Sequence, residues 1–141
     1  MTIEKITVHS EAEMKAFGAA LGQQLKGGEA IQLIGDVGAG KTTLVKGIAE
    51  GMGITEAVQS PSFTISRVYE APNGTRLAHY DFYRLTEAGI MANELDEDLQ
   101  DSQTVTIIEW AEIVEGVLPK THRAITITAP TETTRELEIN G

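Results

Sequence analysis

Gly35-Asp36-Val37-Gly38-Ala39-Gly40-Lys41-Thr42-Thr43 is the stretch of the chain best suited to chemistry. It fits G-x-x-x-x-G-K-[ST], a loop that wraps phosphate. Glycines at 35, 38 and 40 let the backbone turn its N–H groups inward with no Cβ in the way. Lys41 brings one flexible positive charge to the β- and γ-phosphates of a nucleotide, and the Thr42 hydroxyl suits Mg²⁺. Hydrolysis of such a nucleotide also needs an acid at the end of a neighbouring strand, to hold Mg²⁺ or its waters. Residues 105–109, ending at Glu109, and 77–81, ending at Asp81, both run apolar and then acidic. Taken alone, each acid is equally consistent with a helix cap or a surface carboxylate. Ser60-Pro61-Ser62-Phe63-Thr64 follows the loop's helix, where a nucleotide-sensing switch would stand. Ser62 or Thr64 would then meet the γ-phosphate or Mg²⁺. The simpler reading is a proline-led turn whose hydroxyl caps its own backbone.

The flanking elements must position these groups. Residues 30–34 are a short apolar run, the pattern of a buried strand, and residues 43–52 carry Leu44, Val45, Ile48, Ala49 and Met52 at helical spacing. The loop therefore joins a strand's end to a helix's start, and the positive helix terminus faces the phosphates. Upstream, residues 3–8 predict a strand. Ser10 and Glu13 form a capping box for a helix whose stripe is Met14, Phe17, Leu21 and Leu25, ending near Gly27-Gly28. Gly51 and Gly53 are expected to close the loop's helix. Residues 58–64 connect to strands at 65–70 and 75–81, paired as a hairpin across Pro72-Asn73-Gly74. An amphipathic helix is expected over 87–100, broken near Asn93, with Met91, Leu95 and Leu99 on its apolar side. A strand at 104–108 follows, then a short helix at 111–118 limited by Pro119. Strands at 123–128 and 134–139 form a closing hairpin across Pro130-Thr131. Alternating strands and helices predict an α/β fold, and the hairpins make its sheet mixed.

The chain has 141 residues and a formal charge of −10. That length predicts one domain over residues 1–141, with a real core. No apolar run approaches the length of a membrane span, and the N-terminus lacks the plan of a signal peptide, so the expected location is the cytoplasm. With no cysteine, disulfides and cysteine-ligated metal sites are excluded. His9, His79 and His122 match no metal-ligand spacing and are expected as surface or core histidines. From residue 85 to 119 there are nine acids and no Lys or Arg, a surface that would repel broad contact with nucleic acid. The run suits a solvated helix face, or a docking face for a more basic protein.

Four strings in order resemble the TsaE (YjeE) family of bacterial ATPases, which act in making threonylcarbamoyladenosine in tRNA. They are residues 35–43, Ser60-Pro61-Ser62-Phe63-Thr64, His79-Tyr80-Asp81-Phe82-Tyr83-Arg84 and Ile108-Glu109-Trp110-Ala111-Glu112. The phosphate loop is generic, whereas the His-x-Asp-x-Tyr-Arg and Glu-Trp strings in this order are specific. The family usually has Leu at Val37, Thr at Ser62, Phe at Tyr80 and Leu at Phe82, mild changes that disturb no role. The resemblance spans the Ser10 helix to Pro119 and carries nothing beyond Ala124. It implies a single-domain P-loop NTPase-like three-layer fold, with a mixed, mostly parallel sheet and added antiparallel hairpins, that binds ATP and Mg²⁺. By the same resemblance, Lys41 and the loop amides bind the phosphates, and Thr42 and Glu109 hold Mg²⁺. Asp81 orients the attacking water or a magnesium-bound water. Trp110 sits beside the site, its alternative being a half-buried core residue. Tyr83 and Arg84 face a partner, residues 60–64 act as a switch, and Ser10 and Glu11 lie near the adenine. Members work with TsaD and TsaB, so contact with tRNA is expected to be indirect. TsaE itself does not transfer the threonylcarbamoyl group; its ATPase is thought to reset the complex.

Two other functions are compatible with the loop. A small-molecule kinase would pair it with an Arg-rich lid, but no Arg stands between Arg84 and Lys120. A non-hydrolysing ATP sensor would use nucleotide state only to switch a partner surface.

Overall fold

A computed structural model describes residues 3–36, 38–61, 65–87 and 89–141. The chain runs β1 (Ile3–Val8), α1 (Glu11–Gln24), β2 (Ala30–Ile34), α2 (Lys41–Gly51), β3 (Ser66–Glu70) and β4 (Arg76–Asp81). It continues with α3 (Met91–Gln100), β5 (Thr104–Glu109), a 3₁₀ helix (Ala111–Val117), β6 (Arg123–Thr128) and β7 (Arg135–Asn140). The strands form one seven-stranded sheet in the order β1-β7-β6-β2-β5-β4-β3. Its centre, β6-β2-β5-β4, is parallel. The edges are antiparallel: β3 pairs with β4, β7 with β6, and β1 with β7. The sheet is thus mixed, as the alternation and hairpins predict, and β1 adds a further antiparallel pair.

Side-chain alternation divides the core between the two faces of the sheet. Leu77, Val105, Ile107 and Ile125 point to one face and pack with Met14 and Leu21 of α1 and Leu44, Val45 and Ile48 of α2. Ala78, Tyr80 and Ile108 point to the other, against Leu95 of α3 and Ala111 and Val114 of the 3₁₀ helix. β5 is buried at every position, as a central parallel strand covered on both faces must be. On the α3 face the Tyr80 hydroxyl donates to Asp98 Oδ2 at 2.5 Å. Burial first, and the Asp98 carboxylate second, push the Tyr80 phenol well above its ordinary range.

Local chemistry explains most element ends. Ser10 Oγ accepts the Glu13 N–H at 3.1 Å. The Glu13 carboxylate accepts from the His9 amide at 3.0 Å, not from Ser10, so the box closes one residue further back than expected. That amide, with the His9 ring beside it, holds the Glu13 carboxyl below its ordinary range. The β3–β4 turn follows from Gly74 at φ 89° and from Asn73 Oδ1, which accepts the Thr75 N–H at 3.0 Å.

Four expectations are corrected. Helix α2 begins at Lys41, not at 43, because Gly40 ends the loop at φ 106° and releases the chain into the helix at once. Gly51 does not close α2; it is the helix's last residue and touches α1, while Gly53 at φ 86° turns the chain. Helix α3 starts at Met91 rather than 87, after Gly89 at φ 54°, and Asn93 lies within it, unbroken. The helix after β5 is 3₁₀, with a kink at Val114.

Glycines also set the contact between α1 and α2. Gly18 and Gly22 on one helix face Gly47 and Gly51 on the other. A Cβ at Gly47 would fall 2.2 Å from the Lys15 carbonyl oxygen, and one at Gly51 2.1 Å from that of Ala19. The two helices meet backbone to backbone, and only residues without a side chain fit.

Candidate functional site

Register brings the candidate groups to one edge of the sheet. In the parallel β4–β5 pair Asp81 stands opposite Glu109, and in β2–β5 Leu33 does. The phosphate loop leaves the end of β2, so it emerges beside both carboxylates, beyond the carboxyl ends of the strands. Asp81 shares a face with Leu77, and Glu109 with Val105 and Ile107, because residues two apart in a strand point the same way. That face is the one α2 covers.

The loop turns through Gly38 at φ 84° and Gly40 at φ 106°, values that only glycine adopts at little cost. Gly40 is also the N-cap of α2 and brings no side chain to occupy the helix's first N–H groups. Those donors are left to an anion, with the helix dipole behind them. Lys41, the first helical residue, folds back under the loop. Its ammonium donates to the Gly35 carbonyl at 2.7 Å and lies 3.6 Å from Glu109 Oε1. It also stands 4.2 Å from the centre of the Trp110 ring. A cation this buried must be paired, and here a carbonyl, a carboxylate and an aromatic face share it.

Lys41, Thr42, Thr43, Gly38 and Gly40 line a cleft of about 310 Å³ together with Ser60, Asp81, Tyr83, Glu109 and Trp110. Asp81 is buried, and its Oδ1 accepts the Tyr83 N–H at 2.9 Å, which fixes the chain as it leaves β4. Trp110 is half-buried and left-handed at φ 55°, an uncommon state for a bulky residue. Its ring packs on Tyr83 with centroids 4.8 Å apart. Trp110 therefore lines the cleft while its half-buried ring also packs against the core layer beneath α3 and the 3₁₀ helix. Tyr83 and Arg84 are exposed beyond it.

The oxygen donors in the cleft, Thr42, Asp81 and Glu109, are hard ligands of the kind Mg²⁺ takes. Among the described residues no group of three or more His, Asp or Glu is arranged to hold a metal by itself. Mg²⁺ uses one or two carboxylates and leaves the rest of its sphere to phosphate and water.

Ser10 caps α1 and lines a second cavity of about 310 Å³, with Glu11, Gly38, Gly40 and Thr43. Glu11, Gly38, Gly40 and Thr43 line both cavities, so the two adjoin along the loop. Asp36 is exposed and Ala39 buried, with the Ala39 N–H donating to the Asp36 carbonyl at 3.0 Å. Val37, Ser62 and Thr64 lie outside the described residues, and so does most of the switch-like string.

Two residues of the site escaped the sequence reading. His79, expected as an ordinary core or surface histidine, is fully buried, with Nε2 2.5 Å from Glu109 Oε2. Its signal was there, since residues 77, 79 and 81 share one strand face. Arg135 at the start of β7 donates to the Ala39 carbonyl at 3.2 Å and to carbonyls of residues 131, 132 and 134. It ties the last hairpin to the phosphate loop, a contact across the whole sequence that no local pattern announces.

Sheet, loop and strand-end acids define a P-loop NTPase-like α/β protein. The family model of "Threonylcarbamoyl adenosine biosynthesis protein TsaE" matches residues 8–137, and the chain belongs to the TsaE family. The tRNA threonylcarbamoyladenosine biosynthesis protein TsaE of Bacillus subtilis is 40% identical over 131 residues, covering 93% of this chain and 80% of that one. The TsaE protein of Streptomyces coelicolor is 41% identical over 100 residues, covering 70% and 68%. A crystal structure of Bacillus subtilis YdiB superposes with a TM-score of 0.79 at 33% identity, covering 98% of this chain and 84% of that one. Among the described residues no helix is long and apolar enough to cross a membrane.

Proposed function

We propose that the chain is a Mg²⁺-dependent ATPase that serves threonylcarbamoyladenosine modification of tRNA in the cytoplasm, working with TsaD and TsaB. One observation carries the reading: the lysine of a phosphate loop shares a cleft with two carboxylates from adjacent parallel strands. The α2 amides and Lys41 would hold the ATP phosphates. Thr42 and Glu109 would hold Mg²⁺, which supplies charge neutralisation at the phosphates. Asp81 would orient the attacking water or one bound to the metal. The family's role in threonylcarbamoyladenosine biosynthesis supports the tRNA-modification part of this reading, and the net charge of −10 favours a protein partner over direct grip of tRNA.

Phosphate release from Mg-ATP, measured with and without TsaD–TsaB, tests the reading. Turnover is expected to be slow alone, faster in the complex, and abolished by Lys41→Ala. No turnover in either setting, or full turnover in Lys41→Ala, refutes it. A tight ATP complex that never releases phosphate would make the chain a sensor instead.

A further inference from the structure

We propose that His79 is a positioning residue for Glu109, holding its carboxylate so that Oε1 faces the cleft. The proposal rests on the reading of Glu109 as a Mg²⁺ ligand. Glu109 offers its two oxygens to different partners, Oε2 to His79 at 2.5 Å and Oε1 toward Lys41 at 3.6 Å. A carboxylate oxygen accepts, so Nε2–H of His79 donates. His79 is 0% exposed, and its strand register sets it beside Ile107, two residues before Glu109 on the neighbouring strand. Among the described residues its Nδ1 has no hydrogen-bond partner. The ring thus spends its one satisfied contact on Glu109. A buried imidazole with an orphaned nitrogen is costly, and an apolar side chain would fill the space without that cost. What the histidine supplies and an apolar side chain does not is a donor at that distance. Fixing a ligand's rotamer from behind is worth about 10–100-fold in metal affinity where such contacts have been removed elsewhere.

The test compares His79→Gln, whose amide N–H can stand in for Nε2–H, with His79→Leu, which keeps the bulk and removes the donor. Nucleotide binding is titrated with ATP in EDTA and again over a range of Mg²⁺. His79→Leu should raise the Mg²⁺ needed for half-maximal enhancement about 10–100-fold. His79→Gln should restore it to within about threefold of the parent, on the expectation that the donor and not the ring is what matters. A His79→Leu titration matching the parent overturns the proposal, as does equal loss in both variants. The nucleotide-free protein gives a second readout that does not depend on folding of either variant. Nitrogen-resolved NMR of its histidines should place a proton on Nε2 of His79, strongly downfield and moved upfield by Glu109→Gln. A proton on Nδ1 alone overturns the proposal. If binding by the parent protein ignores Mg²⁺, the metal role of Glu109 falls, and the NMR result alone decides whether His79 holds it.

Discussion

Replacing Gly47 by alanine should loosen the whole nucleotide side of the molecule, although residue 47 touches no part of the cleft. The added Cβ would lie 2.2 Å from the Lys15 carbonyl oxygen and 3.0 Å from the Gly18 Cα. Comfortable carbon contacts begin near about 3.5 Å, so α1 and α2 must separate by roughly 1 Å. The obstacle is backbone on both sides, and no rotamer change relieves it. Overpacking of this kind costs about 1–3 kcal/mol, and a backbone clash belongs at the upper end or beyond it. Alanine returns up to about 1 kcal/mol through its better helix propensity. The clash wins, and a net loss of about 2 kcal/mol is expected. Gly116→Ala is the control, since among the described residues nothing lies within 4 Å of its Cβ position and its φ is not in the left-handed range. It should change stability by less than about 0.5 kcal/mol. Urea unfolding followed by circular dichroism gives both values. A Gly47→Ala protein as stable as its parent would refute the argument that backbone contact sets the helix spacing. Because α2 begins at Lys41, its displacement should also weaken ATP binding, which Gly116→Ala should leave alone.

Two further substitutions probe local devices. Ser10→Ala removes the α1 cap and should cost about 1 kcal/mol in urea unfolding, with Ser10→Gly recovering most of it. The Asp101 carboxyl is held below its ordinary value of 3.8, first by the Gln103 amide and then by Arg76 and Thr104. Its folded-state pKa is depressed, so its contribution is complete above that ordinary value and is lost as pH falls through the folded one. The parent's stability should therefore fall more steeply than that of Asp101→Asn as the pH drops below about 4. Parallel acid limbs in pH-jump unfolding would contradict this. The pair with Arg76 is partly exposed, so salt should narrow the difference.

The sequence made the site's chemistry plain and left its assembly hidden. Lys41 and Thr42 belong to a contiguous string, and Glu109 and Asp81 end apolar runs, so local pattern was enough to find them. That Asp81 stands opposite Glu109 depends on strand order, which is a property of pairing across 28 residues. Arg135 acts on a segment far away in the sequence, and a lone arginine carries no spacing to read; His79 shares a strand face with Asp81, but its contact with Glu109 depends in addition on which strand lies beside it. The late start of α3 was missed differently. Glu87 before Met91 continues the acidic coat of the helix, but Gly89 in the left-handed region outweighs it. Gly51 was misjudged because a glycine near a helix end suggests a stop. Its spacing from Gly47, matched by Gly18 and Gly22, was the contrary signal.

Those glycines do two separate jobs that converge on one helix. Gly38 and Gly40 serve conformation, turning the loop where a Cβ would be strained: among the described residues nothing lies within 4 Å of a Cβ at Gly38, and one at Gly40 would meet only the flexible end of Met14, at 3.2 Å. Gly18, Gly22, Gly47 and Gly51 serve proximity, at ordinary helical angles, with backbone oxygens 2.1 to 2.6 Å from where a Cβ would be. The first set shapes the loop and the second seats the helix that follows it. Helix α1 contributes Glu11 to both cavities, and α2 contributes Thr43 to both. Two walls of the cleft are thereby fixed by a single helix–helix contact that starts about one turn from Thr43 and about two turns from Glu11. A change that parts the helices moves both walls together, whereas a change in the loop alone moves one. Stability and binding should therefore fail together at Gly47 and separately at Lys41, and that contrast distinguishes seating from chemistry.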